Sequence, residues 1–251
     1  MKVIRLMCLF LMFPVPAIAE EVSIAVNANW APFTVKYEGH TKGLLVDLLN
    51  AIIVERMGYS IRYSPVPWKR AQLQVKSGRS DIMLTYPSDE RLTYSERSEN
   101  VVFALEERAF VKTGSRAEQV LREGTSVEKM KAFRVCVILG DNWATGFFKK
   151  HNIPYHLAGT TDNCVRMLAA DHMDVFVQSA TAGLSTIHKT ALEDKITMLP
   201  HIYSSVPFAL LVSRKSPHKA EFLSRFDETV SAMKNDGSYD KLIDKLRRAA
   251  R

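Results

Sequence analysis

The sequence predicts an α/β protein of two lobes, each a mostly parallel sheet flanked by helices. Two observations shape this: strands alternate with helices in two separate runs, which argues for two lobes, and there is no Pro- or Ser-rich linker, low-complexity tract or internal repeat, so the lobes should be tightly joined. With 251 residues and 47% hydrophobic content, the chain has enough apolar material for a substantial core. Charged residues at 24% and aromatics at 9% are ordinary globular values and exclude disordered and fibrous classes.

The first run opens with Glu21–Asn27, whose Val22, Ile24 and Val26 alternate as in a strand. After a loop, Gly43 precedes a helix carrying Leu45, Leu48, Leu49, Ile52 and Ile53 on one face and stopping near Gly58. A strand over Tyr59–Tyr63, a helix over Trp68–Ser77 and a buried strand over Asp81–Thr85 follow, and Val101–Val111 is again strand-like. Gly114–Lys131 is polar and helical in part. The second run sets strand Arg134–Leu139, helix Trp143–Lys150, strand Pro154–Leu157, helix Asp162–Ala170, strand Asp174–Gln178 and helix Leu184–Glu193. Ser205–Val212 is extended and leads to a helix with Phe222, Phe226, Val230 and Met233 in register. Asn235-Asp236-Gly237 breaks that helix, and Tyr239, Leu242, Ile243 and Leu246 mark a last amphipathic one. Two such runs predict two α/β lobes rather than one sheet, covered by helices on both faces.

Residues 1–19 have the three parts of a secretory leader. Lys2 and Arg5 are the basic region, Leu6–Phe13 is apolar, and Ala17-Ile18-Ala19 is a small-residue cleavage site. Cleavage after Ala19 leaves 232 residues with no later apolar run of membrane-spanning length. Cys8 departs with the leader, so Cys136 and Cys164 remain in an exported chain. An even pair in an oxidising compartment reads as one disulfide. Two free buried thiols are the alternative, because spacing in sequence does not give Cα separation.

No H-E-x-x-H, C-x-x-C, G-x-S-x-G, Walker A or G-x-G-x-x-G occurs. His151 and His156 have finger-like spacing without an accompanying cysteine pair and read as exposed loop histidines. This pattern tilts towards binding without covalent chemistry, with no cofactor or metal. One stretch stands out: Trp68 to Arg91 passes from an aromatic through a helix and a buried strand into a polar loop. Loops after strand carboxyl ends are where parallel α/β sheets take ligands. Arg91 there could grip a carboxylate bidentately, with the hydroxyls of Thr85 and Ser88 beside it. Taken alone, Arg91 reads as a surface residue.

Several ordered motifs resemble the family 3 extracellular solute-binding proteins, receptors of polar amino-acid ABC transporters. Asn29-Trp30-Ala31-Pro32-Phe33 is similar to their aromatic-x-P-F loop, and Gly43-Leu-Leu-Val-Asp47-Leu48 to their G-F-x-x-D-L helix start. Trp68 through Asp81 and Ser88-Asp-Glu-Arg91 resemble the next two blocks, and Met233 to Tyr239, with Lys241-Leu242, the closing signature. The resemblance runs from Val22 to the C-terminus. It implies a type II periplasmic-binding-protein fold that closes by a hinge on a ligand between its lobes. Lobe one would be residues 20–107 plus 207–251 and lobe two 108–206, with Val101–Val111 and Ser205–Val212 holding the crossings.

By position, the resemblance implies that Arg91 binds a ligand carboxylate and that Trp30 and Trp68 wall the site from lobe one. Gly140-Asp141-Asn142-Trp143 takes the place of the family's loop at a helix N-terminus, where backbone N–H groups favour an anion. Each tryptophan alone could be core packing; all three at cleft positions favour a site with aromatic walls. The departure is Ser179, where amino-acid binders carry an Asp against the α-ammonium. A hydroxyl does not replace a carboxylate against a buried cation. Either Asp141 supplies the anion, or the ligand lacks an α-ammonium.

The implied function is a monomeric periplasmic receptor delivering a small polar, carboxylate-bearing ligand to an inner-membrane ABC permease. A binding module feeding a sensor or chemoreceptor is the first alternative, and a dehydratase-like enzyme on the same fold, with Asp141 as general acid, the second. The net charge of +7 does not signal nucleic acid. Lys2 and Arg5 leave with the leader, and Lys245, Arg247, Arg248 and Arg251 form a basic C-terminal tip with no acid after Asp244, so the rest is near balance.

Overall fold

A computed structural model describes residues 20–124 and 126–249, with side chains as far as Lys245. The predicted leader, the side chain of Leu246 and those of Arg247, Arg248 and Arg251 in the basic tip lie outside the described residues.

The chain begins with β1 (Glu21–Asn27) and a small antiparallel meander, β2 (Asn29–Trp30), β3 (Thr34–Tyr37) and β4 (His40–Lys42). Helix α1 (Leu44–Leu49) continues into a π-helical turn (Asn50–Val54), followed by β5 (Ser60–Val66), α2 (Trp68–Ser77), β6 (Ile82–Thr85), the single turn α3 (Asp89–Leu92) and β7 (Ser95–Lys112). Then come α4 (Arg116–Arg122), a 3₁₀ turn (Val127–Ala132), β8 (Val135–Ile138), α5 (Asn142–Lys150), β9 (Tyr155–Ala158), α6 (Thr161–Ala169), β10 (Val175–Ser179) and α7 (Ala180–Lys189). Strand β11 (Ile196–Ser213) and helices α8 (Lys219–Asn235) and α9 (Ser238–Ala249) complete it.

Two lobes are present, but their strands form one curled sheet of eight in the order β5-β1-β6-β11-β7-β10-β8-β9. This corrects the expectation of separate sheets. The cause is the length of β7 and β11, 18 residues each, which pair antiparallel with one another from Lys112↔Ile196 to Ser95↔Ser213. Outside this pair the strands are parallel, apart from the antiparallel contacts that β11 makes with β6 and β7 with β10.

Packing follows the alternation of parallel strands buried on both faces. Val22, Ile24 and Val26 of β1 face α1 and α8 in one core, while Ala25 faces Ala71 and Val75 of α2 in another. In β8, Val135 and Val137 pack with Leu121 and Phe148, and Cys136 packs with Val165 and Leu168 of α6. A disulfide joins Cys136 to Cys164 across this second face, with Cα atoms 5.8 Å apart.

Some elements differ from expectation. The loop before Gly43 is the β2–β4 meander, and the polar stretch before Arg91 ends in helix α3. The crossing strands start earlier than the predicted Val101 and Ser205. Ser95 and Ser98 occupy buried strand positions that apolar periodicity passes over. Their hydroxyls are satisfied: Ser95 Oγ donates to Arg91 O at 2.7 Å, and Ser98 Oγ donates to Asn100 O at 2.8 Å while accepting from Leu210 N. In β11 the register shifts between Met198 and Ile202, flanking Pro200, which has no N–H for a ladder. Neither histidine is a loop residue of the expected kind: His151 caps the end of α5, half-buried near Glu128, and His156 lies within β9.

Candidate functional site

A cavity of about 90 Å³ lies between the lobes, with room for several waters or a small polar molecule. Its wall includes Trp30, Trp68, Thr85 and Arg91 from the N-terminal side and Asp141 and Trp143 from the loop after β8. The predicted set is therefore only partly gathered. Ser88, Asn142 and Ser179 stand outside the lining residues.

Arg91 is the central cation. It is 2% exposed and sits on α3, whose first turn is capped by Ser88 Oγ accepting from Arg91 N. The strand end and turn that precede α3 aim the guanidinium: Nη1 donates to Thr85 Oγ1 at 3.1 Å and to Tyr86 O at 2.7 Å. Nη2 donates across the cleft to Gly140 O at 3.1 Å, and the ring of Trp68 lies 5.2 Å from the guanidinium carbon. The Nε–H is buried and has no partner among the described residues. Burial pushes the guanidinium pKa down, and Asp141 is the strongest of the groups that oppose this. An arginine so placed still carries its charge.

Gly140 O is a contact point between the two lobes. Trp68 Nε1 and Gln72 Nε2 donate to the same oxygen at 3.1 and 3.2 Å. Asn142 adds donations to Ser88 Oγ at 3.1 Å and Glu90 Oε2 at 2.6 Å, so Ser88 and Asn142 join lobes rather than line the cavity. Gly140 has φ +88°, and a Cβ there would lie 2.8 Å from Gln72 Nε2. Gly140→Ala is expected to destabilise the protein by about 1–2 kcal/mol through the left-handed backbone alone. Chemical denaturation would measure this, and an unchanged midpoint would rule the strain out.

Asp141 N-caps α5, its Oδ1 accepting from Ala144 N at 2.9 Å. Burial raises its pKa, against the lowering effects of that N–H and of Arg91. Trp143 stacks on Phe147 at 5.0 Å and packs against the cores of both lobes. Trp30 stacks on Phe208 at 5.7 Å. Ser179 Oγ is buried without a partner among the described residues, and its backbone N–H donates to Gln178 Oε1 at 2.8 Å.

Five polar wall residues lie outside the expected set: Asn27, Thr34, Tyr86, Gln178 and Glu107. Glu107 is 5% exposed, and no hydrogen bond or ion pair reaches its carboxyl among the described residues. Burial, and secondarily the charge of Asp141, push its pKa well above the usual carboxylate range. The signal was present: Leu105, Ala109 and Val111 mark the inward phase of β7, and Glu107 falls in that phase.

A closed cleft between two lobes hung on a pair of crossing strands is the architecture of a ligand-capturing protein. The chain belongs to the bacterial extracellular solute-binding proteins, family 3, whose sequence profile matches residues 22–247. A relative from Bacillus subtilis (strain 168), the "Probable amino-acid-binding protein YxeM", is 22% identical over 219 residues, covering 85% of this chain and 79% of its own length. Among solved structures, a histidine kinase sensor domain with similarity to periplasmic binding proteins has a TM-score of 0.76 at 19% identity, covering 91% of this chain and 96% of its own. An ancestral arginine-binding protein bound to glutamine has a TM-score of 0.75 at 21% identity, covering 92% and 99%. Likeness at these identities establishes the fold.

Proposed function

We propose that this protein is a periplasmic receptor that captures a small polar, carboxylate-bearing ligand, an amino acid or related metabolite, and delivers it to an inner-membrane ABC permease. The observation that carries the reading is Arg91, a buried cation on the cavity wall whose Nε–H has no partner among the described residues. A carboxylate seated there would complete a charge-assisted hydrogen-bonded pair in place of the neutral acceptors Thr85, Tyr86 O and Gly140 O. Trp30, Trp68 and Trp143 would exclude water around it, and Thr85 would hold the guanidinium in place. Lobe one, residues 20–107 plus 207–251, and lobe two, residues 108–206, would move as bodies about the crossing strands.

The site residues are read as binding rather than catalytic. Asp141 Oδ1 accepts the cap hydrogen bond of α5, an acceptor's role rather than a proton donor's. Turnover of a prephenate-like acid by the purified protein would overturn this. The sensor alternative is supported by the histidine kinase sensor domain among similar structures. A permease and ATPase encoded beside the gene would favour transport.

The direct test is a thermal-shift screen of amino acids, other carboxylates and cationic metabolites. A true ligand is expected to add about 2.7 kcal/mol of stability at a hundredfold excess over its dissociation constant. The reading fails if no carboxylate raises the melting temperature, or if the shift is unchanged in Arg91→Lys.

A further inference from the structure

The charged residues on the cavity wall are Arg91, Asp141 and Glu107, one cation and two acids. Arg91 and Asp141 have protein partners: the guanidinium is held by Thr85, Tyr86 and Gly140, and the Asp141 carboxylate by Ala144 N–H. Glu107 has none. It stands at the crossing of the lobes, paired in register with Ser179 of β10 on one side and Ser204 of β11 on the other. Neither neighbour carries a charge. The charged group that acts on it is Asp141, from the loop after β8. A carboxyl that no group among the described residues pairs, bordering a cavity beside a second carboxyl, is built to meet a cation that comes from outside.

We propose that Glu107 and Asp141 together receive two cationic groups of the ligand, so that the cleft selects a molecule with one carboxylate and net charge +1, a diamino or guanidino acid, over its neutral analogues. This rests on the cleft reading above, with Arg91 holding the carboxylate. The count then closes: three ligand charges against three wall charges of opposite sign. Trp30, Trp68 and Trp143 add ring faces that suit a cation. Without ligand, burial and then the charge of Asp141 shift Glu107 towards its protonated form. A cation seated against it reverses that preference, and the Glu107 O–H bond breaks to leave the carboxylate paired and one proton in solvent.

The experiment is calorimetry of the full mature chain with arginine, and with citrulline, which keeps the shape but replaces guanidinium by a neutral ureido group. Titrations in two buffers of different ionisation enthalpy count protons. The wild type is expected to bind arginine about tenfold or more tighter than citrulline, with net release of protons on binding arginine. In Glu107→Gln the preference is expected to collapse towards unity and the proton release to vanish, with the melting temperature confirming the fold. Equal affinity for the two probes, no proton release in the wild type, or an unchanged preference in Glu107→Gln overturns the inference and leaves the cleft reading standing. Binding of neither probe also overturns it, and the thermal-shift comparison of wild type with Arg91→Lys then judges the cleft reading independently.

Discussion

Arg91→Ala is expected to weaken binding of a carboxylate ligand by about 2–5 kcal/mol, roughly 30- to 4,000-fold. The size follows from burial. A guanidinium that is 2% exposed pairs with its anion away from water, where an unpaired partner is left with a large desolvation penalty. Lysine is not a substitute, since a point charge cannot reproduce three donations in fixed directions while leaving Nε–H for a ligand. The fold is expected to survive the change. Gly140 O keeps the donors of Trp68 and Gln72, and α3 keeps its Ser88 cap, which uses the backbone of residue 91. Calorimetry with a hit from the thermal-shift screen measures the effect, and unchanged affinity would remove Arg91 from the site.

Removing the Cys136–Cys164 bridge, by substituting both residues with alanine, is expected to lower stability by about 3–4 kcal/mol. The bridged residues are 28 apart in sequence, and the loop-closure relation for that length gives this range. The loss falls on lobe two, because the bridge ties β8 to α6 within one apolar core. Urea unfolding of the oxidised wild type and the double variant checks the magnitude. A simpler assay checks the bridge: the unreduced, denatured mature chain is expected to titrate no free thiol, and two would exclude it.

Much of this architecture is legible in the residues. The alternation of β1 and the apolar face that starts at Leu45 place the first lobe's core, and the Trp68–Arg91 block brings wall aromatic, helix, strand and cation together in one stretch. What stays hidden has particular causes. The crossing strands are longer than expected because Ser95 and Ser98 are buried with their hydroxyls satisfied, so polarity there does not mean exposure. The β2–β4 meander is too short for period-2 patterning to register. Ser88 and Asn142 have the chemistry of ligand contacts and are instead bonded to each other across the lobes. Glu107 is the opposite case, a titratable group in an inward strand phase that no group among the described residues pairs. The lobe contact at Gly140 is beyond residue-type reasoning, since its acceptor is a backbone carbonyl.

That carbonyl has a consequence for how tightly the lobes hold one another. A carbonyl oxygen has two lone pairs, and three N–H groups converge on Gly140 O. The oxygen is oversubscribed, so one donor is surplus to its capacity. Arg91 can turn its Nη2–H towards an incoming carboxylate while the indole of Trp68 and the amide of Gln72 keep the oxygen fully occupied. The cation is thus held in position by a bond whose loss leaves no orphaned acceptor behind, and the exchange from protein to ligand involves little reorganisation of the closed lobes.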